Sequence, residues 1–147
     1  GAARQGSSVA LSADGNTALV GGYSDNSNQG AAWVFTRSGT TWTQQGAKLV
    51  GTGNTGSARQ GWSVALSADG STALVGALND DSTQGAAWVF TRSRTTWTQQ
   101  GAKLVGTGNT GTAQQGYSVS LSADGKTALV GGYNDSTSQG AAWVWVP

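Results

Sequence analysis

The chain repeats itself with a period of 55 residues. Residues 1–55 and 56–110 are identical at 46 of 55 positions, and residues 111–147 match residues 56–92 at 24 of 37. A fixed period of this kind indicates a solenoid, a propeller or another array in which each repeat is one supersecondary unit. The sequence therefore predicts two complete repeats and a third that ends at position 37 of the pattern.

Each repeat is predicted to contain four short strands separated by glycine-rich turns. Asp14-Gly15 lies between the first two, and Asp-Gly between short apolar runs favours a hairpin because both turn residues tolerate positive φ. Gly46 interrupts the fourth strand, where a β-bulge is expected. The strands of the first repeat are SSVALS (7–12), NTALVGG (16–22), AAWVFTR (31–37) and TTWTQQGAKLV (40–50). No helical spacing extends beyond a few residues, so we predict an all-β chain.

The predicted strands have the character of sheets that stack on both faces. SVAL, TALVGG and AAWVF are almost continuous runs of apolar and small residues, without clean alternation. A four-stranded antiparallel meander repeated in tandem is the blade of a β-propeller. We predict one propeller segment with about three blades (1–55, 56–110 and 111–147), the third lacking its outer strand. A β-solenoid is the alternative, although solenoid coils are usually shorter, about 20–30 residues, and lack tight hairpins.

The stretch QGSSVALSADGNTALVGG, followed by GAAWVF, resembles the FG-GAP repeats of bacterial proteins and of the integrin α-chain propeller, in all three repeats. Gln5-Gly6 stands where that family has Phe-Gly, and Gly21-Gly22-Tyr23 stands where it has Gly-Ala-Pro. The resemblance implies a propeller fold and an exported bacterial protein, extracellular or on the cell surface. The calcium loop of integrin-type blades is replaced by a short Ser-Ala-Asp-Gly hairpin, so its metal sites are not expected here.

Composition argues against several classes of function. The chain has no Cys and no His, and all seven acidic residues are Asp. Thiol nucleophiles, His-based acid–base pairs and the usual zinc sites are thereby excluded. We expect no enzymatic activity and no cofactor. A net charge of +1, scattered basic residues and no long apolar run favour neither nucleic-acid binding nor a membrane span.

The repeats differ mainly at Ser7/Trp62/Tyr117 and in the loops that follow each second strand. One interpretation is neutral drift on exposed loops. The other is a repeated ligand surface, as in a multivalent lectin or adhesin that binds a glycan or another cell-surface ligand. In the first interpretation the loop Asp residues serve only as Asx-turn residues. In the second they would bind sugar hydroxyls or, weakly, a cation. The candidate ligand-binding residues are Tyr23, Asp25, Trp62, Asp80, Asp81, Tyr117, Tyr133 and Asp135.

Other recurrent residues have expected structural roles. Asp14, Asp69 and Asp124 occupy the hairpin turns, where a conformational role is expected. The Trp residues of the third and fourth strands recur in register and predict contacts between blades. They are Trp33, Trp88 and Trp143 in the third strand and Trp42 and Trp97 in the fourth.

The number of blades bears on assembly. Propellers usually close with four to eight blades, so three leave apolar blade faces open. The leading functional prediction is a structural or binding scaffold that self-associates, first as a homodimer with six blades. Head-to-tail contacts also allow larger rings or filaments.

Overall fold

The computed structural model describes residues 2–147 and contains three antiparallel sheets, one formed by each repeat. In every sheet the strands follow chain order, which makes each repeat an up-and-down meander. These are the predicted propeller blades, and the third has three strands.

The first blade comprises β1 (Ser8–Leu11), β2 (Thr17–Gly22), β3 (Ala31–Ser38) and β4 (Thr41–Gln44). The second comprises β5 (Ser63–Leu66), β6 (Thr72–Ala77), β7 (Ala86–Ser93) and β8 (Thr96–Gln99). The third comprises β9 (Ser118–Leu121), β10 (Ala128–Gly132) and β11 (Ala141–Trp145).

The hairpin between the first two strands is present, but one detail of its prediction is wrong. Gly15 has φ +66°, whereas Asp14 is not among the residues with positive φ. The Gly15 N–H donates to the Ser12 carbonyl (2.9 Å), which closes a four-residue turn that ends at Gly15. The Asp14 carboxylate accepts hydrogen bonds from the Ser12 hydroxyl (2.6 Å) and the Asn16 N–H (2.9 Å). These bonds hold Asp14 in an ordinary turn conformation, and only Gly15 needs the left-handed region.

The fourth strand is interrupted at Gly46, where a bulge was expected. The Gln45 N–H donates to the Val34 carbonyl (2.8 Å), and Leu49 then pairs with Ala32 through two further hydrogen bonds (3.0 and 2.7 Å). Between these two pairs the outer segment contains four residue steps, from 45 to 49, whereas β3 contains two, from 34 to 32. Gly46 takes φ +74° within this bulge, which ends β4 at Gln44 and returns Leu49 to the buried side.

The first strands of the three blades lie side by side and are connected at both ends. At one end the Ala13 N–H donates to the Ala68 carbonyl (2.8 Å), and the Ala68 N–H donates to the Ala123 carbonyl (2.9 Å). At the other end the Ser8 hydroxyl donates to the Gly61 carbonyl (2.9 Å). The Ser63 hydroxyl donates to the next blade in the same way. The repeats are therefore joined into a continuous blade array by backbone and hydroxyl groups that every copy carries.

The hydrophobic core lies between neighbouring blades. Leu19 and Val34 of the first blade belong to the same cluster as Val64 and Leu66 of the second. A second cluster joins the second and third blades in the same way. Side chains on the faces of the sheets must be small or apolar for such stacking, which explains the uninterrupted apolar strands.

Some of the strand tryptophans make the predicted contacts between blades, and Trp42 does not. Trp88 is fully buried in the first cluster, and Trp97 donates from its indole N–H to the Gln45 side chain of the preceding blade (3.0 Å). Trp42 is 42% exposed, because residues 2–147 place no blade before the first. Its ring lies 6.0 Å from the Arg37 guanidinium, as the Trp97 ring lies 5.5 Å from the guanidinium of Arg92. No helix in this part of the chain has the length and apolar character needed to cross a membrane.

Candidate functional site

Four aromatic side chains form a continuous row at one end of the inner strands. Tyr23 follows β2, Trp62 precedes β5, Tyr117 precedes β9 and Tyr133 follows β10. Because the first and second strands of a blade are antiparallel, the start of one and the end of the other lie at the same end of the sheet. The ring centroids are 4.9 Å apart for Tyr23 and Trp62, 6.1 Å for Trp62 and Tyr117, and 4.6 Å for Tyr117 and Tyr133. We call these four residues the aromatic row.

The aromatic row combines accessible rings with polar groups. Tyr117 is 44% exposed and Tyr133 is 51% exposed, while Tyr23 and Trp62 are half-buried. The Arg4 guanidinium lies 5.4 Å from the centre of the Tyr23 ring and donates a hydrogen bond to the Tyr23 hydroxyl. Exposed ring faces stack on apolar faces of a ligand, and the hydroxyl and guanidinium groups at their edges bind its polar atoms. Sequence reasoning missed Arg4, although position 4 varies between repeats as Arg4, Arg59 and Gln114.

The loop carboxylates are engaged elsewhere. Asp80 is fully buried; one carboxylate oxygen accepts a hydrogen bond from the Thr55 N–H (2.7 Å), and the other pairs with Lys103. Asp25 forms the equivalent ion pair with Lys48. Asp135 accepts from the Thr110 N–H (2.6 Å), and Asp81 is the one exposed carboxylate among these four. The structure thus brings the four predicted aromatic residues together, while Asp25, Asp80 and Asp135 hold neighbouring backbone or lysine groups.

The loops that carry these carboxylates have an unusual backbone that the sequence did not reveal. Each loop forms a single turn, α1 (Asp25–Asn28), α2 (Asp80–Thr83) and α3 (Asp135–Ser138). Three consecutive non-glycine residues of each turn have positive φ, from 45° at Asn26 to 75° at Ser138. L-residues in this region are strained, most of all the β-branched Thr83 and Thr137.

The strained turns position acceptors for the next blade. The Gly30 N–H closes the first loop by donating to the Asp25 carbonyl (2.9 Å). The Asn28 carbonyl then accepts from the Arg59 N–H (2.9 Å), and the Gln29 carbonyl accepts from the Gln60 N–H (2.9 Å). The second loop makes the same pair of bonds to the third blade. In the first two turns, hydrogen bonds to the next blade therefore help to offset the strain. The third turn has the same conformation and shares with the others the bond from the glycine N–H to the aspartate carbonyl, here Gly140 to Asp135 (3.0 Å).

The hairpin aspartates are structural acceptors. Bonds from the Ser12 hydroxyl and from the Asn16 backbone and side chain lower the pKa of Asp14 to about 2. The pKa values of Asp69 and Asp124 are lowered by the same kind of contacts, first of all from Ser67 and Ser122. Across residues 2–147, no three His, Cys, Asp or Glu side chains are grouped closely enough to hold a metal ion.

A surface cavity of about 440 Å³ lies on the outer strands, whereas the aromatic row borders the inner ones. Residues Gln45–Leu49, which form the bulge of the first blade, line one side, and Thr95–Trp97 of the second blade line the other. No titratable pair in its lining indicates a reaction, so it adds no second candidate site.

Three antiparallel meanders joined along their first strands define the chain as a segment of a β-propeller. Residues 42–90, from β4 of the first blade to β7 of the second, match the FG-GAP repeat family. The matched stretch belongs to a pattern that recurs every 55 residues, so all three blades share its sequence features and are similar to FG-GAP repeats. Such repeats typically build structural or binding scaffolds in extracellular proteins. No curated protein matches the chain.

Proposed function

We propose that the chain is a non-enzymatic propeller scaffold, outside the cell, that associates with further copies of itself to complete a ring. The observation that carries this proposal is a pair of exposed apolar faces on the first and third blades. On the first blade, Val9 is 69% exposed and Leu11 is 63% exposed. On the third, Leu129 is 42% exposed and Val144 is 65% exposed.

These residues occupy positions that are buried or partly buried wherever two blades meet. Leu129 and Val144 are cross-strand partners and correspond to Leu19 and Val34 of the first blade, which are at most 1% exposed. Between the first two blades, Leu19 and Val34 share a cluster with Val64 and Leu66, which correspond to Val9 and Leu11. A junction between the third blade of one copy and the first blade of another would therefore bring together the same residues as the junctions inside the chain.

The smallest closed assembly of this kind has two copies and two equal junctions. Two copies supply six first strands, which lies within the usual range of about four to eight blades. A heterologous contact of this type closes into a ring when the rotation per blade allows it, and otherwise continues as a filament. A twofold ring of six blades is the assembly we favour.

The test is the mass of the purified chain by light scattering across a range of concentrations. We expect twice the chain mass of 14.8 kDa. A particle of 14.8 kDa with β-sheet circular dichroism at every concentration would contradict self-association. A larger multiple would contradict the six-blade ring and favour a larger ring or a filament.

The aromatic row supports a second candidate function, carbohydrate binding. Its rings cross three blades without a gap, and Arg4 and the tyrosine hydroxyls provide hydrogen-bonding groups beside them. Stacking of ring faces against the apolar faces of sugars is the contact that such a surface offers.

Glycan binding, measured on an array and by competition with free sugar, tests this candidate. We expect Trp62→Ala to weaken binding at least tenfold, because Trp62 is the ring that connects Tyr23 with Tyr117. The matched control is Trp42→Ala, a partly exposed tryptophan on the outer strand, which should leave binding unchanged. No binding to any glycan, or equal loss in both variants, would refute the role of the row.

A further inference from the structure

Arg59 carries a charge that no side chain within residues 2–147 neutralises. Its Nε is buried and has no hydrogen-bond partner in this part of the chain. The ion pairs of the described residues are Lys48 with Asp25 and Lys103 with Asp80, and neither includes an arginine. A buried N–H without an acceptor is uncommon in folded proteins and calls for an acceptor from outside the chain, such as a ligand or an ordered water. Because its backbone N–H is bonded to the left-handed turn of the first blade, Arg59 lies at a junction where both blades are present.

The backbone places Arg59 beside the aromatic row. The Trp62 N–H donates to the Arg59 carbonyl (3.2 Å), so both residues belong to the turn that leads into β5. The Asn79 N–H donates to the Ala58 carbonyl (3.2 Å), and this bond brings Arg59 alongside Leu78, which follows β6. Arg59 as a whole is half-buried, which leaves part of its side chain accessible to a ligand.

The first blade shows how an arginine at this position lies against the row. The Ser24 N–H donates to the Ala3 carbonyl (3.2 Å), which is the equivalent backbone bond. The Arg4 guanidinium lies 5.4 Å from the centre of the Tyr23 ring and donates to its hydroxyl. Arg4 and Arg59 hold the same place in successive blades, so two guanidinium groups accompany the aromatic row.

The carboxylates of the described residues do not neutralise these two arginines. The hairpin aspartates follow the first strands of the blades and therefore lie at the end of the sheets opposite to the aromatic row. Asp25 and Asp80 are paired with lysines. Asp81 and Asp135 remain, and neither forms an ion pair with an arginine within residues 2–147. The row therefore combines aromatic faces with two cationic groups that have no carboxylate partner.

We propose that the ligand of the aromatic row is an acidic saccharide, with its carboxylate groups bound by Arg4 and Arg59 and its sugar rings stacked on the aromatic side chains. This inference rests on the carbohydrate-binding candidate above and names the class of sugar. A guanidinium is planar, always charged and weakly hydrated, and its paired N–H donors match the two oxygens of a carboxylate. A neutral sugar would use the aromatic faces alone and would leave both charges without a partner.

The experiment compares tetragalacturonate with its methyl ester, which has the same sugar rings and no free carboxylate. Each is titrated into the full chain by isothermal titration calorimetry at low ionic strength. We expect the acid to bind about tenfold more tightly than the ester, because only the acid forms charge-assisted hydrogen bonds with the arginines. Added salt should reduce this difference, since it screens accessible charges.

Three variants locate the charge that is responsible. Arg59→Gln introduces the residue that the third repeat has at Gln114, so the blade should remain folded; it should weaken binding of the acid about tenfold and leave the ester unaffected. Gln114→Arg adds a third guanidinium at the same position of the repeat and should tighten binding of the acid. Arg94→Gly is the matched control, because it removes the same charge from the outer hairpin and restores the residue present at Gly39. It should leave binding of both sugars unchanged.

Equal binding of the acid and the ester would overturn the acidic ligand and leave carbohydrate binding in place. Equal losses in Arg59→Gln and Arg94→Gly would overturn it as well, because they would indicate a general attraction between charges. The same holds if Arg59→Gln, with unchanged circular dichroism, binds the acid as the original chain does. Binding of neither sugar at millimolar concentrations would contradict this inference, whereas the array of neutral glycans decides the carbohydrate-binding candidate separately.

Discussion

Asp14, Asp69 and Asp124 each accept a hydrogen bond from the serine hydroxyl two residues earlier and from the backbone N–H two residues later. These bonds are stronger to the ionised carboxylate than to the protonated acid, and they therefore depress its pKa. The residue type predicted a conformational role, and the contacts explain it. At Asp80 the same residue type is fully buried against Lys103 and Thr55, a difference that no local sequence pattern signals.

The lowered pKa of Asp14 predicts a pH-dependent effect on stability. A folded-state pKa of about 2, below the ordinary value of about 3.9, gives stabilisation that is complete above about pH 5 and is lost as the pH falls towards 2. Asp14→Asn should therefore lower the melting temperature at pH 7, and its difference from the unchanged chain should shrink between pH 4 and pH 2. Thermal melts at several pH values test this.

Thr43→Asn is the control for that experiment, because Thr43 is exposed and neither side chain titrates. Its difference from the unchanged chain should not vary over the same pH range. A constant difference for Asp14→Asn between pH 7 and pH 2 would contradict the assigned cause.

Among the elements, the segments 51–55 and 106–110 and the left-handed turns connect the blades. Gly51 and Gly106 lie against tryptophan rings of the next blade. The first two left-handed turns each present two carbonyls to the next blade. The strands could be predicted from apolar runs and glycine punctuation because these are local signals. The left-handed conformation of residues such as Thr83 could not, because L-residues other than glycine rarely adopt positive φ and no local sequence pattern signals it here.

The close contact of glycine with tryptophan predicts the effect of adding one methyl group. Gly106→Ala should lower the free energy of unfolding by about 1–3 kcal/mol, the usual cost of overfilling a close-packed contact. The Cβ would lie 2.2 Å from Cδ1 of Trp143, so either the tryptophan ring or the backbone at residue 106 must move. Urea denaturation followed by fluorescence measures the change.

Thr107→Ala provides the comparison, since Thr107 is exposed and its carbonyl, which accepts from Trp143, remains. That variant should change the free energy of unfolding by less than about 0.5 kcal/mol. Equal stability of the two variants would show that Gly106 is not required for this contact.

In the molecule as a whole, the two blade faces at the ends of the array expose apolar side chains to solvent. Their apolar residues lie at positions that are buried or partly buried at both internal junctions. If a second copy covers them, the melting temperature should rise with protein concentration, because association stabilises the folded state by mass action.

Leu129→Asp should abolish this concentration dependence and yield a particle of 14.8 kDa. Leu129 is 42% exposed in the single chain, so the blade itself should remain folded, whereas an aspartate at the junction would be buried without a partner. Val105→Asp introduces the same charge at another exposed apolar residue, outside the end faces, and should leave the dependence intact. Loss of association in both variants would remove the assignment of the interface to the blade faces.

The all-β class, the 55-residue blade, the hairpins and the bulge at Gly46 could be predicted from the sequence, because tandem repetition and turn chemistry act over short distances along the chain. Variation between repeats also singled out the aromatic positions. The row formed by Tyr23, Trp62, Tyr117 and Tyr133 is evident only in the folded chain, since its contacts join different blades as well as strands. The burial of Asp80 and the hydrogen bond from Trp88 to Thr52 likewise depend on contacts between residues 25 and 36 positions apart, and these contacts follow from how one blade docks against the next.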